Sequence, residues 1–600
     1  MSAHRRCQHW QLQKSRATTN FTSPPLGRHH SRQSTIKVQI NATAPLSHAE
    51  MNVQVKKSDI DGAGRGLFAT QDFAAGDVIL QLDRPYVAEL DIQRMRDTCA
   101  WCFRRGATDP DERSKKAGLG FFAGVDVETK ACTGCKRVRY CSKTCQSKAW
   151  KREHKYECKV LSPAERPDLP HGVRAVIKLL GRLKNDPNSE DQLLIDILQF
   201  APAGGSGAVL EQIKKDNPQR VEDFSMLAYG AWKYALEPKI GDMDSETIAK
   251  ALFFNVMSNT MQLSNPLDDI SLGVGFDPII CSANHSCEPN AVAVFNQPKQ
   301  LLRAIKPIKK GEEIFMKYVD VSNPFSVRQA QLRESYFFRC KCPKCVKGAS
   351  FIEDKFLKPP EELPAEYIKI ADELIKRHEK QLPMFFVPAN DEAAQRRIAA
   401  IQAEAFSVSG ITFDFNQGNE SASEEEVLDA LKLCLNSGLW PYHRQPFPHL
   451  IRQLLTLYLA EGRVYQSWRL GLLRHFLISP TLYSKPYIPD RVIDCWLMAT
   501  ATNSLCNPTN PNHKEIFDNC MKAGLDLRIV YFGFLIETRE QVEHSYGKDS
   551  PFGRVVESVY QQTVQNTDIS IDEIKNMIKE NWPKLEAVAK NVDVLKLGSG

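Results

Sequence analysis

Long apolar runs are missing from this 600-residue chain. The longer stretches, such as residues 454–459, are far shorter than the roughly 20 residues that cross a bilayer, so no membrane-spanning helix is expected. No secretory signal is visible either, and we expect a reducing compartment in which cysteines do not form disulfides. The hydrophobic fraction of 42% and the charged fraction of 25% are typical of a soluble globular protein. The length predicts about two to four domains.

Acidic residues are missing before Glu50, whereas residues 1–50 contain seven lysines and arginines. This composition is typical of a basic disordered tail and also of a mitochondrial transit peptide. Pro24 and Pro25 interrupt any helix, which favours the tail. We therefore expect a protein of cytoplasm and nucleus, with the mitochondrion as the alternative. Residues 51–600 are balanced, with 71 basic and 71 acidic side chains, and carry no global nucleic-acid footprint.

The cysteines are the strongest chemical signal of the chain. Eleven cysteines and one histidine fall into spacings typical of zinc ligands, because residues two or three positions apart can bind one ion from a single turn. These positions are Cys99, Cys102, Cys132, Cys135, Cys141, Cys145, His154, Cys158, Cys287, Cys340, Cys342 and Cys345. Twelve ligands suffice for three tetrahedral zinc ions. Most of the remaining cysteines are expected to be buried as small apolar residues; they are Cys7, Cys281, Cys434, Cys495, Cys506 and Cys520.

Residues 51–98 are predicted to form strands, because apolar and polar residues alternate around Val53 and short β-branched runs follow. A glycine-rich stretch, Gly62–Gly66, interrupts them. Glycine allows positive φ angles and the close approach of a ligand. Taken alone, the stretch would be an ordinary turn between two strands.

Three later segments occur in a fixed order: Asn284–Asn290 (NHSCEPN), Gly311–Tyr318 (GEEIFMKY) and Cys340–Cys345 (CKCPKC). Together they resemble the end of a SET domain, the fold of protein lysine methyltransferases. The resemblance implies that Cys287 joins Cys340, Cys342 and Cys345 on one zinc ion. It also identifies the glycine-rich stretch as a cofactor loop.

Residues 99–158 resemble a MYND zinc finger, most closely in the stretch from Tyr140 to Cys158. In that family the two zinc sites interleave. The resemblance therefore places Cys99, Cys102, Cys141 and Cys145 on one ion, and Cys132, Cys135, His154 and Cys158 on the other. The gap between Cys102 and Cys132 is long for the family, so residues 103–131 are expected to include an extruded loop.

The implied fold class is α+β: a split SET-domain β-fold with an inserted zinc-binding MYND finger, a cysteine-rich post-SET segment and an all-α, helical-repeat-like C-terminal domain. The predicted segments are 1–50, the basic tail; 51–98, the first part of the SET domain; 99–158, the finger; 159–250, a helical insert; 251–320, the core SET part; 321–349, the post-SET zinc segment; and 350–600, the C-terminal helices. Amphipathic spacing predicts helices at Tyr367–Gln381, Glu424–Asn436, His449–Glu461 and Val464–Leu477.

The resemblance also assigns site residues. The implied cofactor contacts are Ala63, Gly64, Arg65, Asn259, Asn284, His285, Tyr318 and Phe338. The implied catalytic residues are Tyr318, whose hydroxyl faces the methyl group and the amine, and Tyr336, which lines the lysine channel. Without its context, Tyr318 would instead be a tyrosine in the core of a strand.

These features together predict an S-adenosylmethionine-dependent protein-lysine N-methyltransferase with three zinc ions. Its substrate would be a lysine of a histone or a non-histone protein, and its finger would bind a peptide partner. Nucleic acid is a weaker candidate partner, and a monomer is expected. The alternative is a catalytically inactive adaptor or transcriptional co-regulator that uses only the finger and the helices. A DNA-binding transcription factor fits least, because the body of the chain is neutral.

Overall fold

The computed structural model describes residues 52–60, 62–105, 127–163, 167–185, 218–240, 244–265, 270–349, 352–387, 389–409, 422–506 and 511–599. The predictions for residues 1–50, for most of the 103–131 loop and for residues 186–217 of the helical insert lie outside these ranges. Cys7 lies outside them as well.

The first part of the chain is built from short strands. They are β1 (Val53–Lys57), β2 (Arg65–Ala69), β3 (Val78–Leu82), β4 (Val87–Leu90), β5 (Lys130–Ala131), β6 (Arg139–Tyr140), β7 (Met261–Asn265), β8 (Ile270–Phe276), β9 (Asn284–His285), β10 (Ala291–Asn296), β11 (Lys299–Ala304) and β12 (Glu313–Met316). The alternation that predicted strands in residues 51–98 corresponds to β1–β4.

The strands form three sheets and one small hairpin. The sheet orders are β1-β2-β12-β9, β10-β11-β3 and β4-β8-β7, with β5-β6 as the hairpin. Strands from both sides of the finger pair with one another, since β2 pairs with β12 and β4 with β8. The strand fold is therefore split in sequence but continuous in space, as the resemblance implied.

Helices surround these sheets. They are α1 (Lys143–Ala149), a π-helical turn at Trp150–His154, α2 (Lys155–Leu161), α3 (His171–Asn185), α4 (Pro218–Tyr234), α5 (Ser245–Asn259), α6 (Phe325–Tyr336) and α7 (Pro343–Val346). Short 3-10 turns lie at Arg94–Arg96 and Ile280–Ser282. Helix α5 runs across the predicted boundary between residues 250 and 251, because its Leu252, Phe253 and Val256 pack into the same core as α3.

The described part of residues 352–599 contains helices and no strand. The helices are α8 (Ala365–His378), α9 (Glu392–Val408), α10 (Glu424–Asn436), α11 (Phe447–Ala460), α12 (Val464–Leu473), α13 (Ser479–Leu482), α14 (Pro489–Leu505), α15 (Pro511–Lys522), α16 (Leu527–Ser545), α17 (Pro551–Gln565) and α18 (Ile571–Lys590). A π-helical turn, Arg474–Ile478, follows α12, and 3-10 turns lie at Ile352–Asp354, Pro360–Glu362, Leu382–Phe385 and Val594–Ser599. The four helices predicted here match α8, α10, α11 and α12, except that α12 ends earlier because the π-turn begins at Arg474.

The C-terminal helices contact the strand region at several polar points. Arg303 of β11 donates to the carbonyl of Glu543 in α16 at 2.9 Å. Tyr487 donates its hydroxyl hydrogen to the carbonyl of Ile305 at 3.2 Å. Lys317, which directly precedes Tyr318, pairs with Asp490 of α14 at 3.4 Å. The helical region therefore touches the strand fold beside the predicted catalytic residue. No described helix has the length and apolar character to cross a membrane.

Candidate active site and metal groups

A cysteine that follows β9 meets three cysteines that follow helix α6. The ligand atoms of Cys287, Cys340, Cys342 and Cys345 all lie within 4.8 Å of one another, and the Sγ atoms of Cys287 and Cys345 are 3.4 Å apart. Hydrogen bonding from Cys287 lowers the pKa of the Cys345 thiol to about 7. The thiolate is the form that binds a metal. The separations are close to those around a tetrahedral zinc ion, whose sulfur ligands, at about 2.3 Å from the metal, lie roughly 3.8 Å apart.

Helix α6 positions this cysteine group. Its Gln329 accepts a hydrogen bond from the backbone N–H of Cys340 at 3.1 Å and donates to the Cys340 carbonyl at 3.0 Å. The helix ends at Phe337, which has a left-handed φ of 64° and turns the chain towards the cysteines. Arg328 of the same helix is fully buried. Burial lowers the pKa of its guanidinium, but the nearby Cys287 and Cys345 sulfurs help to outweigh this, so that the pKa lies above its ordinary value. A buried guanidinium beside four sulfurs balances the negative charge of a thiolate site.

The strand β9 runs parallel to β12, with Phe315 opposite Asn284 and Met316 opposite His285. The pairing continues past the strand, since Ser286 N–H donates to the Met316 carbonyl at 3.0 Å. Successive side chains of a strand point to opposite faces. His285 therefore faces the cysteine group, while Asn284 faces the glycine-rich loop.

Both ring nitrogens of His285 are engaged within the protein. Its Nδ1 accepts a hydrogen bond from the backbone N–H of Tyr318 at 3.0 Å, which leaves Nε2 as the donor towards Cys287 Sγ at 3.3 Å. Burial lowers the pKa of His285 to about 4, so the ring is neutral near pH 7. The ring links Tyr318 to the cysteine group, and any contact of His285 with a cofactor is through its backbone.

The Tyr318 hydroxyl donates to the backbone carbonyl of Ala283 at 2.9 Å. Burial raises the pKa of this phenol above its ordinary value, so the phenol keeps its proton. Because the hydroxyl hydrogen points to the Ala283 carbonyl, the lone pairs of the hydroxyl oxygen point away from it. The two neighbouring oxygens form a small electronegative surface. Such a surface suits a polarised C–H group or an amine.

Aromatic rings enclose this surface. The ring centroids of Tyr318 and Tyr336 are 4.9 Å apart, and Phe338 lies 6.5 Å from Tyr318 and 6.1 Å from His285. Tyr336 donates its hydroxyl hydrogen to the Tyr318 carbonyl at 3.2 Å. These rings and the cysteine group share one apolar cluster. The structure thus brings Tyr318, Tyr336, Phe338 and His285 together.

The glycine-rich loop reaches the same place through Asn284. The side-chain amide of Asn284 donates to the Arg65 carbonyl at 2.8 Å and to Glu313 Oε1 at 2.7 Å. Its Oδ1 accepts no hydrogen bond from any residue that the structure describes. Gly64 has a φ of 72°, and a Cβ at Gly64 would meet nothing within 4 Å, so the loop is open on that side. Ala63, half-buried, lies in the turn that leads into Gly64.

Glu313 is a site residue that the sequence prediction did not single out. Besides Asn284, its carboxylate accepts from the buried Ser58 hydroxyl at 2.9 and 3.0 Å. A Cβ at Gly66 would lie 2.2 Å from Glu313 Oε1, so a larger residue there would displace the Glu313 carboxylate. Glu313 therefore holds β1, the loop and β9 together. Its position within the GEEIFMKY segment was the only signal for it.

Asn259, at the end of α5, lies at a different edge of the site. Its side-chain amide donates to the Asn255 carbonyl at 2.9 Å, and its own carbonyl accepts from the Cys281 thiol at 3.0 Å. Cys281, two residues before Ala283, contributes to the raised pKa values of both Tyr318 and Tyr336, behind the larger effect of burial. Asn259 is thus connected to the tyrosines through Cys281, which the sequence prediction treated only as a buried thiol.

The finger contains two further groups of ligands. One comprises Cys99, Cys102, Cys141 and Cys145, and the other Cys132, Cys135, His154 and Cys158, each with all ligand atoms within 4.8 Å. The two groups interleave along the chain in the predicted order. Separations in the first group include 3.5 Å between Cys141 and each of Cys102 and Cys145. In the second, His154 Nε2 lies 3.4 Å from Cys132 and 3.7 Å from Cys135.

A buried ionic network ties the finger to the strand fold. The Nδ1 of His154 lies 2.8 Å from Glu157, an arrangement that orients a histidine ligand. Lys178 of α3 pairs with Glu157 at 3.3 Å and with Glu89 of β4 at 2.8 Å. The second finger group therefore has a charged connection to the sheet β4-β8-β7.

Comparisons with known proteins agree with this architecture. Residues 64–319 match the sequence model of the SET domain, and the split strand fold of this segment agrees with that match. Over 283 residues the chain is 29% identical to the SET domain and MYND-type zinc finger protein 6 of Schizosaccharomyces pombe, covering 47% of this chain and 50% of that protein. It is 29% identical over 305 residues to the N-lysine methyltransferase SMYD2 of Homo sapiens, covering 50% and 62%. It is 31% identical over 217 residues to the histone-lysine N-methyltransferase SMYD3 of Homo sapiens, covering 36% and 48%.

The chain is similar to SET- and MYND-domain proteins over these matched segments. The matches span about half the length of these relatives.

Proposed function

We propose that the protein is an S-adenosylmethionine-dependent protein-lysine N-methyltransferase. One observation carries the proposal: the Tyr318 hydroxyl and the Ala283 carbonyl form an oxygen surface at the end of the glycine-rich loop, inside the aromatic cluster that also holds Cys287. Two relatives, a histone-lysine and an N-lysine methyltransferase, support the same activity.

The residues present fit the cofactor. The open side of Gly64 allows a ligand to approach the backbone, and Asn284 Oδ1 is an acceptor for its ammonium or ribose groups. Phe338 offers an aromatic face for the adenine. Asn259 lies beside Cys281, whose thiol donates to the Asn259 carbonyl. When bound, the cofactor supplies an electrophilic methyl group on a sulfonium.

The chain's own residues align the acceptor lysine. Tyr318 and Tyr336 bury the side chain of the acceptor, and loss of hydration favours its neutral amine. Tyr318 keeps its proton, which it donates to the Ala283 carbonyl, and turns its lone pairs towards the reacting centre. Little covalent chemistry is left to the protein, so positioning and electrostatics supply the rate.

The three ligand groups fit zinc, because their thiolate and imidazole donors stand at separations suited to a tetrahedral ion. In this proposal the Cys287 group has a direct catalytic consequence. Cys287 would hold the ion together with Cys340, Cys342 and Cys345; it accepts the hydrogen bond of His285, and His285 in turn accepts from the Tyr318 N–H. The finger is proposed to bind a peptide partner. Cytoplasm and nucleus remain the proposed location, and a histone and a non-histone substrate are both within the proposal.

The test uses the full-length protein. Titration calorimetry with S-adenosylmethionine measures cofactor binding, and a cell extract incubated with isotope-labelled cofactor is then mapped by mass spectrometry. The proposal expects micromolar binding and label on lysine side chains of specific proteins. Cofactor binding without methyl transfer to any lysine would overturn the proposed methyltransferase activity. The absence of cofactor binding would favour an adaptor that uses only the finger and the helices.

A further inference from the structure

A fourth group of side chains with donor atoms that metals accept lies in the C-terminal helices, far in sequence from the three cysteine-rich groups. It consists of His475, Cys495 and Glu537, whose ligand atoms all lie within 4.8 Å of one another. His475 and Cys495 are buried, and the side chain of Glu537 is 26% exposed. None of the three has another cysteine or histidine within a few positions, so the spacing of ligand residues along the sequence does not indicate the group.

The distance between His475 and Glu537 suits an ion better than a hydrogen bond, while the Cys495 thiol, when protonated, donates to the Phe534 carbonyl at 3.4 Å. His475 Nε2 and Glu537 Oε2 are 3.6 Å apart, beyond ordinary hydrogen-bond length. Two ligands of a tetrahedral zinc ion are roughly 3.3–3.8 Å apart, given zinc–ligand distances of about 2.0–2.3 Å. The same protein provides a standard, since His154 Nε2 lies 3.4 and 3.7 Å from Cys132 and Cys135 in the finger.

The backbone around His475 has a special conformation. The helix α12 passes into a π-helical turn at Arg474–Ile478, and His475 lies in it. Such turns are rare and often occur at functional sites. The nearby Asp494 is engaged by Arg474 at 2.7 Å and by Ser479 at 3.2 Å, which leaves Glu537 as the carboxylate of the group.

We infer that His475, Cys495 and Glu537 bind a divalent metal ion of the zinc type. Imidazole, thiolate and carboxylate are the donors that zinc takes, and three protein ligands leave a fourth position for water. The ion joins three helical elements: the π-turn after α12, α14 and α16. The exposed part of Glu537 gives a route for the ion to enter. Helix α14 also carries Asp490, which pairs with Lys317 beside Tyr318, so the ion holds the helix that contacts the active-site segment.

The experiment measures zinc in the full-length protein by mass spectrometry after saturation with zinc and desalting. Glu537→Gln should bind one equivalent fewer than the wild type, and His475→Gln should do the same. Glu540→Gln changes an exposed carboxylate on the same helix α16, and Cys520→Ser changes a half-buried thiol of the same domain. Both of these controls should retain the wild-type zinc content.

Cobalt(II) provides a second measurement on the same proteins. The wild-type spectrum minus the Glu537→Gln spectrum should show the bands of a site with a single thiolate. Circular dichroism establishes that each variant is folded, and the partly exposed Glu537 makes Glu537→Gln the deciding variant should His475→Gln not fold. Equal zinc content and equal cobalt spectra in the wild type and Glu537→Gln would overturn the inference. Because only differences between variants are read, the result is independent of methyl transfer and of the other three groups.

Discussion

Replacing Glu313 by glutamine perturbs the point at which the cofactor loop, β1 and β9 meet. The carboxylate accepts one hydrogen bond from Ser58, shared between its two oxygens, and one from Asn284. Glutamine keeps the shape but removes the charge. A hydrogen bond to a charged group contributes about 1.5–3 kcal/mol and a neutral one about 0.5–1.5 kcal/mol, so two bonds lose about 2 kcal/mol. Glu313 is half-buried, and solvent screening reduces the loss to about 1 kcal/mol.

A loss of about 1 kcal/mol weakens cofactor binding roughly fivefold. Titration calorimetry of Glu313→Gln with S-adenosylmethionine measures this change. The neighbouring Glu312 is a matched control, because it is exposed and its carboxylate accepts, among the described residues, one hydrogen bond, from the Lys309 N–H at 2.8 Å. Glu312→Gln should bind the cofactor like the wild type. The reasoning is refuted by equal affinities of Glu313→Gln and the wild type, or by an equal loss in Glu312→Gln.

The remaining predictions concern the metal group, the buried network and pH. Cys287→Ser should lose one zinc equivalent and most methyl transfer, while Cys520→Ser should keep both. Metal analysis and an activity assay measure these changes, and a Cys287→Ser variant that stayed active would contradict the prediction. Lys178→Met removes the cation that Glu89, Glu153 and Glu157 share, and it should lower the free energy of unfolding, measured in urea, by about 3–5 kcal/mol. The exposed Lys159→Met is the control and should leave this free energy unchanged. Because burial raises the pKa of Tyr318, kcat/KM should rise between about pH 7 and 9 as the substrate amine loses its proton. A decline in that range would argue for a phenol that ionises.

Local spacing predicted the strands of residues 51–98 and the pairs of neighbouring cysteines. Cysteine pairs such as Cys132 and Cys135 bind from one turn, so their neighbours in sequence are also neighbours in space. These parts of the fold could be predicted because each signal lies within a few residues.

Contacts between distant residues carried no such signal. Glu313 acquires its role from Ser58, which is 255 positions away. The engagement of both nitrogens of His285 depends on Cys287 and on the backbone of Tyr318, and no pattern in the sequence indicates a tautomer. The group around His475 joins three helical elements through single residues, and each of these residues alone is an ordinary core or surface side chain.

The most direct test of the central claim is a single-turnover assay of Tyr318→Phe, with saturating labelled S-adenosylmethionine and a substrate protein identified by the extract experiment. The variant removes only the hydroxyl that donates to Ala283. We expect cofactor affinity within about twofold of the wild type and a transfer rate lower by roughly 100-fold or more. Tyr442→Phe, on the surface of the helical region, should transfer at the wild-type rate. Transfer by Tyr318→Phe at the wild-type rate would contradict the assignment of this hydroxyl to the reaction.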